Sequence, residues 1–479
     1  MSPKLADPSG ARAEGVMTEY QNLSELAKRW SGAVRYDGTE PLRVIDEAPL
    51  RGAQMDELAY NSVFAKDEAT RQGCRALIAA AAVATGAKPA SIHDLYMARG
   101  RGEVHGFTVP AVNIRGMTYD VARAMFRVAK RMDASAMIFE IARSEIGYTF
   151  QRPGEYAPCI LAAAVREGHR GPVFVQGDHF QVAVKKFNDP KAREAELQAI
   201  RDLIGEAIAA GFWNIDIDPS TLVDLSKATV EEQQRDNYEL CAMYTKLIRE
   251  KQPKGVTISV GGEIGEVGTK NSTPEEFTAF MEGYKKALGP GLTGISKMSV
   301  QSGTSHGGVP LPGGGVAQVK LDFSVLEQIG KVAREKYGMG GAVQHGASTL
   351  PAELFNHFPK VETAEIHLAT EFQNIILDHK AFPEALRQKM NGWCHANCAD
   401  EKKDGQSETQ FIYKSRKKAW GPHKHELWTL AEKETILRDV EAKFEFLWKQ
   451  LNVGGSRAVV EKYVKPTDYR PLVPAGMKI

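Results

Sequence analysis

The sequence predicts a (β/α)8 TIM barrel with helical N-terminal and C-terminal extensions. Two observations carry that reading: eight short apolar runs recur between residues 107 and 369, and helix-length amphipathic stretches lie between them. A third is the glycine content, 44 in 479 residues, which exceeds the roughly 7% average and suits many tight strand-to-helix turns. The runs, in order, are FTVPAV (107–112), SAMIFEI (135–141), PVFVQG (172–177), NIDID (214–218), TISVGGE (257–263), GISKMSV (294–300), AVQHG (342–346) and EIHLA (365–369). Each has the length of a buried parallel strand. The intervening segments include TYDVARAMFRVAKRM, STPEEFTAFMEGYKKAL and DFSVLEQIGKVAREKYG. Several enter through Thr, Ser or Asp and leave through Gly, the residue types that cap helix ends. A large doubly wound sheet is the alternative for the same alternation.

The expected division is a disordered tail over 1–16, a helical extension over 17–100, the barrel over 101–384 and a second helical extension over 385–479. The last contains a long amphipathic helix with Trp428, Leu430, Ile436, Phe444 and Leu447 along it. That stripe must be buried, against the barrel or against a second copy of the chain. The latter would make a homo-oligomer, with a dimer as the simplest form.

Composition excludes several classes. Lys+Arg 61 against Asp+Glu 60 leaves a net charge of +1, so there is no electrostatic footprint for nucleic acid or an anionic membrane. No apolar run reaches the roughly 18 residues of a membrane span, and the start has no apolar core of a secretory signal. The five scattered cysteines argue against a disulfide framework and point to the reducing cytoplasm.

The active site of such a barrel forms where its strands end. The third run ends in Gly177-Asp178-His179, the sixth leads into Ser302-Gly303-Thr304-Ser305-His306-Gly307-Gly308, and the seventh ends in Gln344-His345-Gly346-Ala347-Ser348. His179, His306 and His345 therefore converge, a ligand set that would leave open positions on a catalytic Zn2+ or similar divalent metal. Asp178 and His179, as neighbours on a strand, are expected to point to different sides, with Asp178 placed for proton transfer or as a partner of a ligand imidazole. Glu263 is a further candidate ligand or outer carboxylate, and Asp216 and Asp218 share one face of the fourth strand. Gly307, Gly308, Gly346 and Ser348 suit phosphate binding by backbone N–H groups. His367 ends the eighth strand on the same face. His423 and His425 read as an exposed turn, and Lys270, Lys297 and Lys320 as solvated or phosphate-facing.

The order DH, ExGxxG, GTSHG and HGAS after strands three, five, six and seven, with VPAVNIRG at strand one, resembles the class II, zinc-dependent fructose-bisphosphate/tagatose-bisphosphate aldolases over roughly residues 92–380. The resemblance implies zinc on His179, His306 and His345, with Glu263 a carboxylate near the metal. It also implies proton transfer by Asp178, substrate contact by Asn113, and a phosphate and monovalent-cation region at Gly307, Gly346 and Ser348. The implied reaction makes or breaks a C–C bond in a ketose phosphate such as fructose 1,6-bisphosphate, through a zinc-stabilised enediolate.

The sequence departs from the family in its substrate contacts. The loop after strand five reads Thr269-Lys270-Asn271 where the family carries a glutamate; Glu266, Glu275 or Glu276 could substitute. The segment after strand eight, usually N-x-D-T/S, reads His367-Leu368-Ala369-Thr370, which makes His367 and Thr370 candidate substrate contacts. Two other functions share the motifs: C4 epimerisation of a ketose or keto sugar acid by retro-aldol chemistry, faintly resembled by IDPS and KMSVQSG, and a non-catalytic aldolase-like subunit.

Overall fold

A computed structural model describes residues 17–265, 270–303, 321–347 and 350–479. Eight parallel strands close a barrel: β1 (Val109–Asn113), β2 (Ile138–Ala142), β3 (Gly171–Gln181), β4 (Asn214–Asp218), β5 (Ser259–Glu263), β6 (Lys297–Val300), β7 (Ala342–Gln344) and β8 (Glu365–Leu368). Each pairs with its neighbours in chain order, and β8 closes on β1 through Glu365 opposite Val109 to Leu368 opposite Val112. Seven of the eight are buried at every residue, because helices cover one face and the other side chains fill the barrel. The eight runs expected from the sequence are thus the barrel, and the open-sheet alternative falls.

The helices start and stop where their end residues dictate. Thr273 accepts the Glu276 N–H and Glu276 accepts the Thr273 N–H, opening the helix Pro274–Leu288 with a reciprocal cap. Glu276 is thereby committed to the helix end rather than to proton exchange. Asp322 caps the helix Phe323–Tyr337, which leaves through Gly338 in the left-handed region.

Residues before the barrel form the helices Leu23–Trp30, Ala53–Phe64, Glu68–Thr85 and His93–Gly100. They also supply strands that helical periodicity does not reveal. Val34–Arg35 pairs with Arg43–Val44, and Ala87–Pro89 adds to the edge of β3 beside Gly171. Pairs this short leave no alternation to read in the sequence.

The helix Lys433–Gln450 lies against the helices Thr118–Arg131 and Thr370–Leu377 of the barrel. Ile436, Leu437, Val440, Phe444, Leu447 and Trp448 are buried there, and Trp428 stacks on Tyr119 with ring centroids 5.8 Å apart. The stripe is consumed within the chain and offers nothing to a second copy. His423, expected in an exposed turn, is buried, and its Nδ1 lies 2.9 Å from the Ala419 carbonyl. Distant parts of the chain also interlock: Ser456 Oγ accepts the N–H groups of Ser135 and Ala136, and Tyr36 exchanges two backbone hydrogen bonds with Ile479.

Candidate active site at the strand ends

A cavity of about 520 Å³ opens at the C-terminal ends of the strands. Asn113, Asp178, His179, Glu263, His345, Gly346, His367 and Thr370 all line it. His306, Gly307 and Ser348 lie outside the described residues, as do Glu266, Gly308 and Lys320.

The local structure of β3 explains how adjacent residues come to share the cavity. The strand runs past Gly177 to Gln181, and its register with β4 shifts between Gly177 and Phe180, where three steps on β3 oppose two on β4. This is a bulge. His179 sits within it at φ +40°, a left-handed conformation uncommon for a residue with a Cβ. The Phe180 ring occupies the space that a side chain at position 177 would need, so the bulge requires glycine there. The extra residue breaks the alternation that would have put Asp178 and His179 on different sides, and both face the cavity.

The imidazoles of His179 and His345 lie 4.2 Å apart, centroid to centroid. Their Nε2 atoms are each 3.8 Å from Asp178 Oδ1, a buried oxygen that also lies 3.2 Å from His367 Nδ1. On the other side, His179 Nδ1 is 2.7 Å from Asp218 Oδ2 and 3.1 Å from Glu263 Oε2, and His345 Nδ1 is 3.7 Å from Glu263 Oε1. Carboxylates at Nδ1 fix the tautomer and aim Nε2. Among the described residues, three sets of three could hold a cation: His179, Glu263 and His345; Asp178, His345 and His367; or Glu140, Glu365 and His367.

Opposite charges set one another's state within this cluster. Burial opposes charge on Asp178, but the imidazoles of His179, His367 and His345 outweigh it and hold the carboxyl far below its ordinary range. Burial likewise disfavours a charged His179, yet Asp178 and Glu263, with the Asp218 hydrogen bond, keep its pKa well above the usual value. His345 goes the other way. Burial, then the neighbouring His367 and His179, hold it well below 6.5, which leaves the neutral ring that a metal requires. Asn113 Nδ2 donates to Asp178 Oδ2 at 2.7 Å and so fixes the carboxylate.

His367 is held by three acids. Its Nε2 is 2.6 Å from Glu365 Oε1, and its Nδ1 is 3.2 Å from both Glu140 Oε1 and Asp178 Oδ1. Beneath it lies a polar barrel layer centred on Lys297, whose ammonium pairs with Asp216 Oδ2 at 3.0 Å and with Glu365, and donates to Gln176 Oε1 at 2.8 Å. The reading of Lys297 as solvated or phosphate-facing is therefore corrected: the side chain is 1% exposed. Burial would discharge it, but Asp216 and Glu365 outweigh burial and raise its pKa. Burial also pushes Asp216 up to about 6.

Sequence reasoning missed part of the cavity wall. Glu145 Oε2 accepts from Asn113 at 3.0 Å and its Oε1 from Arg115 Nε at 2.6 Å, while Tyr148 and Lys417 line the same space. Arg115 was within reach, standing two residues after Asn113 in the strand-one motif. Lys417, far outside the expected barrel, carried no local signal.

The family model for fructose-bisphosphate aldolase class-II matches residues 100–426. A search of curated proteins finds no match. Among solved structures, the chain is similar to the fructuronate-tagaturonate epimerase UxaE from Cohnella laeviribosi, at 12% identity, with 89% of this chain and 90% of that chain covered and a TM-score of 0.51. It is also similar to fructose-bisphosphate aldolase from Campylobacter jejuni, at 18% identity over 76% of this chain and 94% of that one, TM-score 0.44. The YdjI aldolase from Escherichia coli K12 gives 14%, 76%, 98% and 0.43 for the same quantities. With the family match spanning well over half its length, the chain belongs to the class-II fructose-bisphosphate aldolase family.

Proposed function

We propose that the protein is a metal-dependent aldolase that cleaves or forms a C–C bond in a ketose bearing an anionic end group. The observation that supports this best is the buried Asp178 Oδ1, equidistant from the Nε2 atoms of His179 and His345. His179 and His345 would hold the metal through Nε2, with His306 as a third ligand and Asp218 and Glu263 orienting the rings from the Nδ1 side. When bound, a divalent ion such as zinc polarises the ketose carbonyl and takes up the negative charge that develops there as the C–C bond breaks.

The chain's own groups handle the protons. Asp178, kept ionised by the imidazoles around it, takes the proton from the hydroxyl two carbons from the carbonyl. The O–H electrons then form the new aldehyde C=O, and the electrons of the broken C–C bond pass toward the carbonyl. His367, 3.2 Å from Asp178 and held with a raised pKa by Glu140 and Asp178 against the cost of burial, would return a proton to the carbon left behind. That role replaces the glutamate absent after strand five.

A second reading, C4 epimerisation by the same cleavage followed by re-addition to the other aldehyde face, has its own support. The likeness to the epimerase reaches 89% of this chain, beyond the barrel into its extensions. One assay separates the two. Metal-loaded protein is offered fructose 1,6-bisphosphate, tagatose 1,6-bisphosphate and unphosphorylated keto sugar acids. An aldolase releases a trappable aldehyde, whereas an epimerase converts the ketose without release. Turnover that survives EDTA would sink the metal-dependent mechanism in both forms.

A further inference from the structure

The turn Arg416–Ala419 comes from the chain after the last barrel strand, yet it sits against the helix Arg143–Thr149 that follows β2. Two close approaches seat it there. The Trp420 indole lies directly over Gly116, where any Cβ would collide with the ring, and its Nε1 donates to Gln373 Oε1 at 3.3 Å. A Cβ at Gly421 would likewise come within 2.5 Å of the Tyr148 carbonyl oxygen and 2.8 Å of the Phe150 ring. The turn is therefore fixed on the mouth of the barrel, and Lys417 reaches the cavity.

The cations on either side of Lys417 are neutralised: Arg416 pairs with Asp378 and Lys418 with Glu401. Lys417 itself makes no ion pair or hydrogen bond among the described residues, and its ammonium rests 5.8 Å from the centre of the Tyr148 ring. Nearby stands Arg115, whose one acidic partner within bonding distance among the described residues is Glu145. Glu145 already accepts from Asn113, from Arg115 and from the Ala142 N–H. Arg115 and Lys417 thus share Glu145, whose carboxylate is already engaged, whereas Arg143 and Lys186, which line the cavity elsewhere, pair with Glu196. Burial, with Arg115 adding to it, lowers the Lys417 pKa, as expected for an ammonium still waiting for its counter-charge. An anion is the group that would complete the arrangement.

We propose that Arg115 and Lys417 form a subsite for the anionic end of the substrate, a carboxylate or a phosphate, so that the segment after the barrel selects the substrate class. This rests on the ketose-cleavage reading only for the identity of the rest of the molecule.

The test uses three linear probes that differ at one end: sorbitol, gluconate and sorbitol 6-phosphate. Their equilibrium binding is measured on metal-loaded wild type, Lys417→Met and Lys417→Arg. Wild type should bind one anionic probe roughly 10–100-fold more tightly than sorbitol, the range of one charge-assisted contact. Lys417→Met should abolish that preference while leaving sorbitol binding unchanged, and Lys417→Arg should keep most of it. Which anionic probe gains more identifies carboxylate or phosphate. The subsite is overturned if wild type shows no anion preference, or if Lys417→Met weakens sorbitol and the anions equally. Absence of ketose turnover with the anion preference intact would remove the cleavage reading and leave the subsite standing.

Discussion

The cavity has two walls built on opposite principles. At the strand ends, His179, His345 and His367 stand among Asp178, Asp218, Glu263, Glu140 and Glu365. That wall carries more carboxylates than cations and presents aligned nitrogens. The other wall, Arg115 and Lys417 with Glu145, carries more cations than carboxylates. One region is unfinished without a cation and the other without an anion. The proposed substrate, with an electron-rich carbonyl at one end and a negative charge at the other, would answer both, which a near-neutral protein of net charge +1 could not achieve through its overall field.

The sharpest way to break the comparison is within the first wall. His345→Ala should remove bound metal and activity together. Asp178→Ala should keep the metal and lower kcat by roughly 10³–10⁴-fold, the scale of a lost general base. Metal content by atomic emission, measured beside steady-state rates, separates the two. Equal metal in wild type and His345→Ala would remove the ligand assignment.

A smaller effect is expected below the wall. Lys297→Met leaves Asp216 and Glu365 buried without their ammonium and should cost about 3–5 kcal/mol of stability, read from urea midpoints. The change should leave the anion preference of the second wall untouched. A shift of less than about 1 kcal/mol would place Lys297 outside the structural core of the barrel.

The smallest effect concerns pH. In metal-free protein the raised His179 pKa contributes stability that is complete below its unfolded value, about 6.5, and is lost as pH rises through the folded value. Added zinc needs the deprotonated ring, so its affinity should rise over the same window. Thermal unfolding with and without zinc should therefore show opposite slopes against pH. Parallel slopes would disconnect His179 from the metal.

The barrel was legible because buried parallel strands are apolar on both faces and capped helices punctuate them. Asp178, His179, Glu263 and His345 were legible because strand ends are where side chains can meet. Three things were not. The bulge that turns Asp178 and His179 to one cavity depends on the Phe180 ring over Gly177, a packing fact with no periodic trace. Lys297 sits on a strand among apolar residues, and its partners Asp216 and Glu365 come from two other strands, so nothing adjacent in sequence announces the pairing. Lys417 enters the site only because Trp420 finds room over Gly116, some 300 residues earlier in the chain.

The clasp of Ser456 on the N–H groups of Ser135 and Ala136 has a consequence in time. The two serines are 321 residues apart, and synthesis at about 5–20 residues per second separates them by roughly 16–64 s. For that interval the approach to β2 has exposed donors and the barrel helices Thr118–Arg131 and Thr370–Leu377 lack the apolar cover of Lys433–Gln450. The newborn barrel is therefore stickiest just after its own strands are complete, and the helix that follows them acts in cis as the cover that ends that exposure.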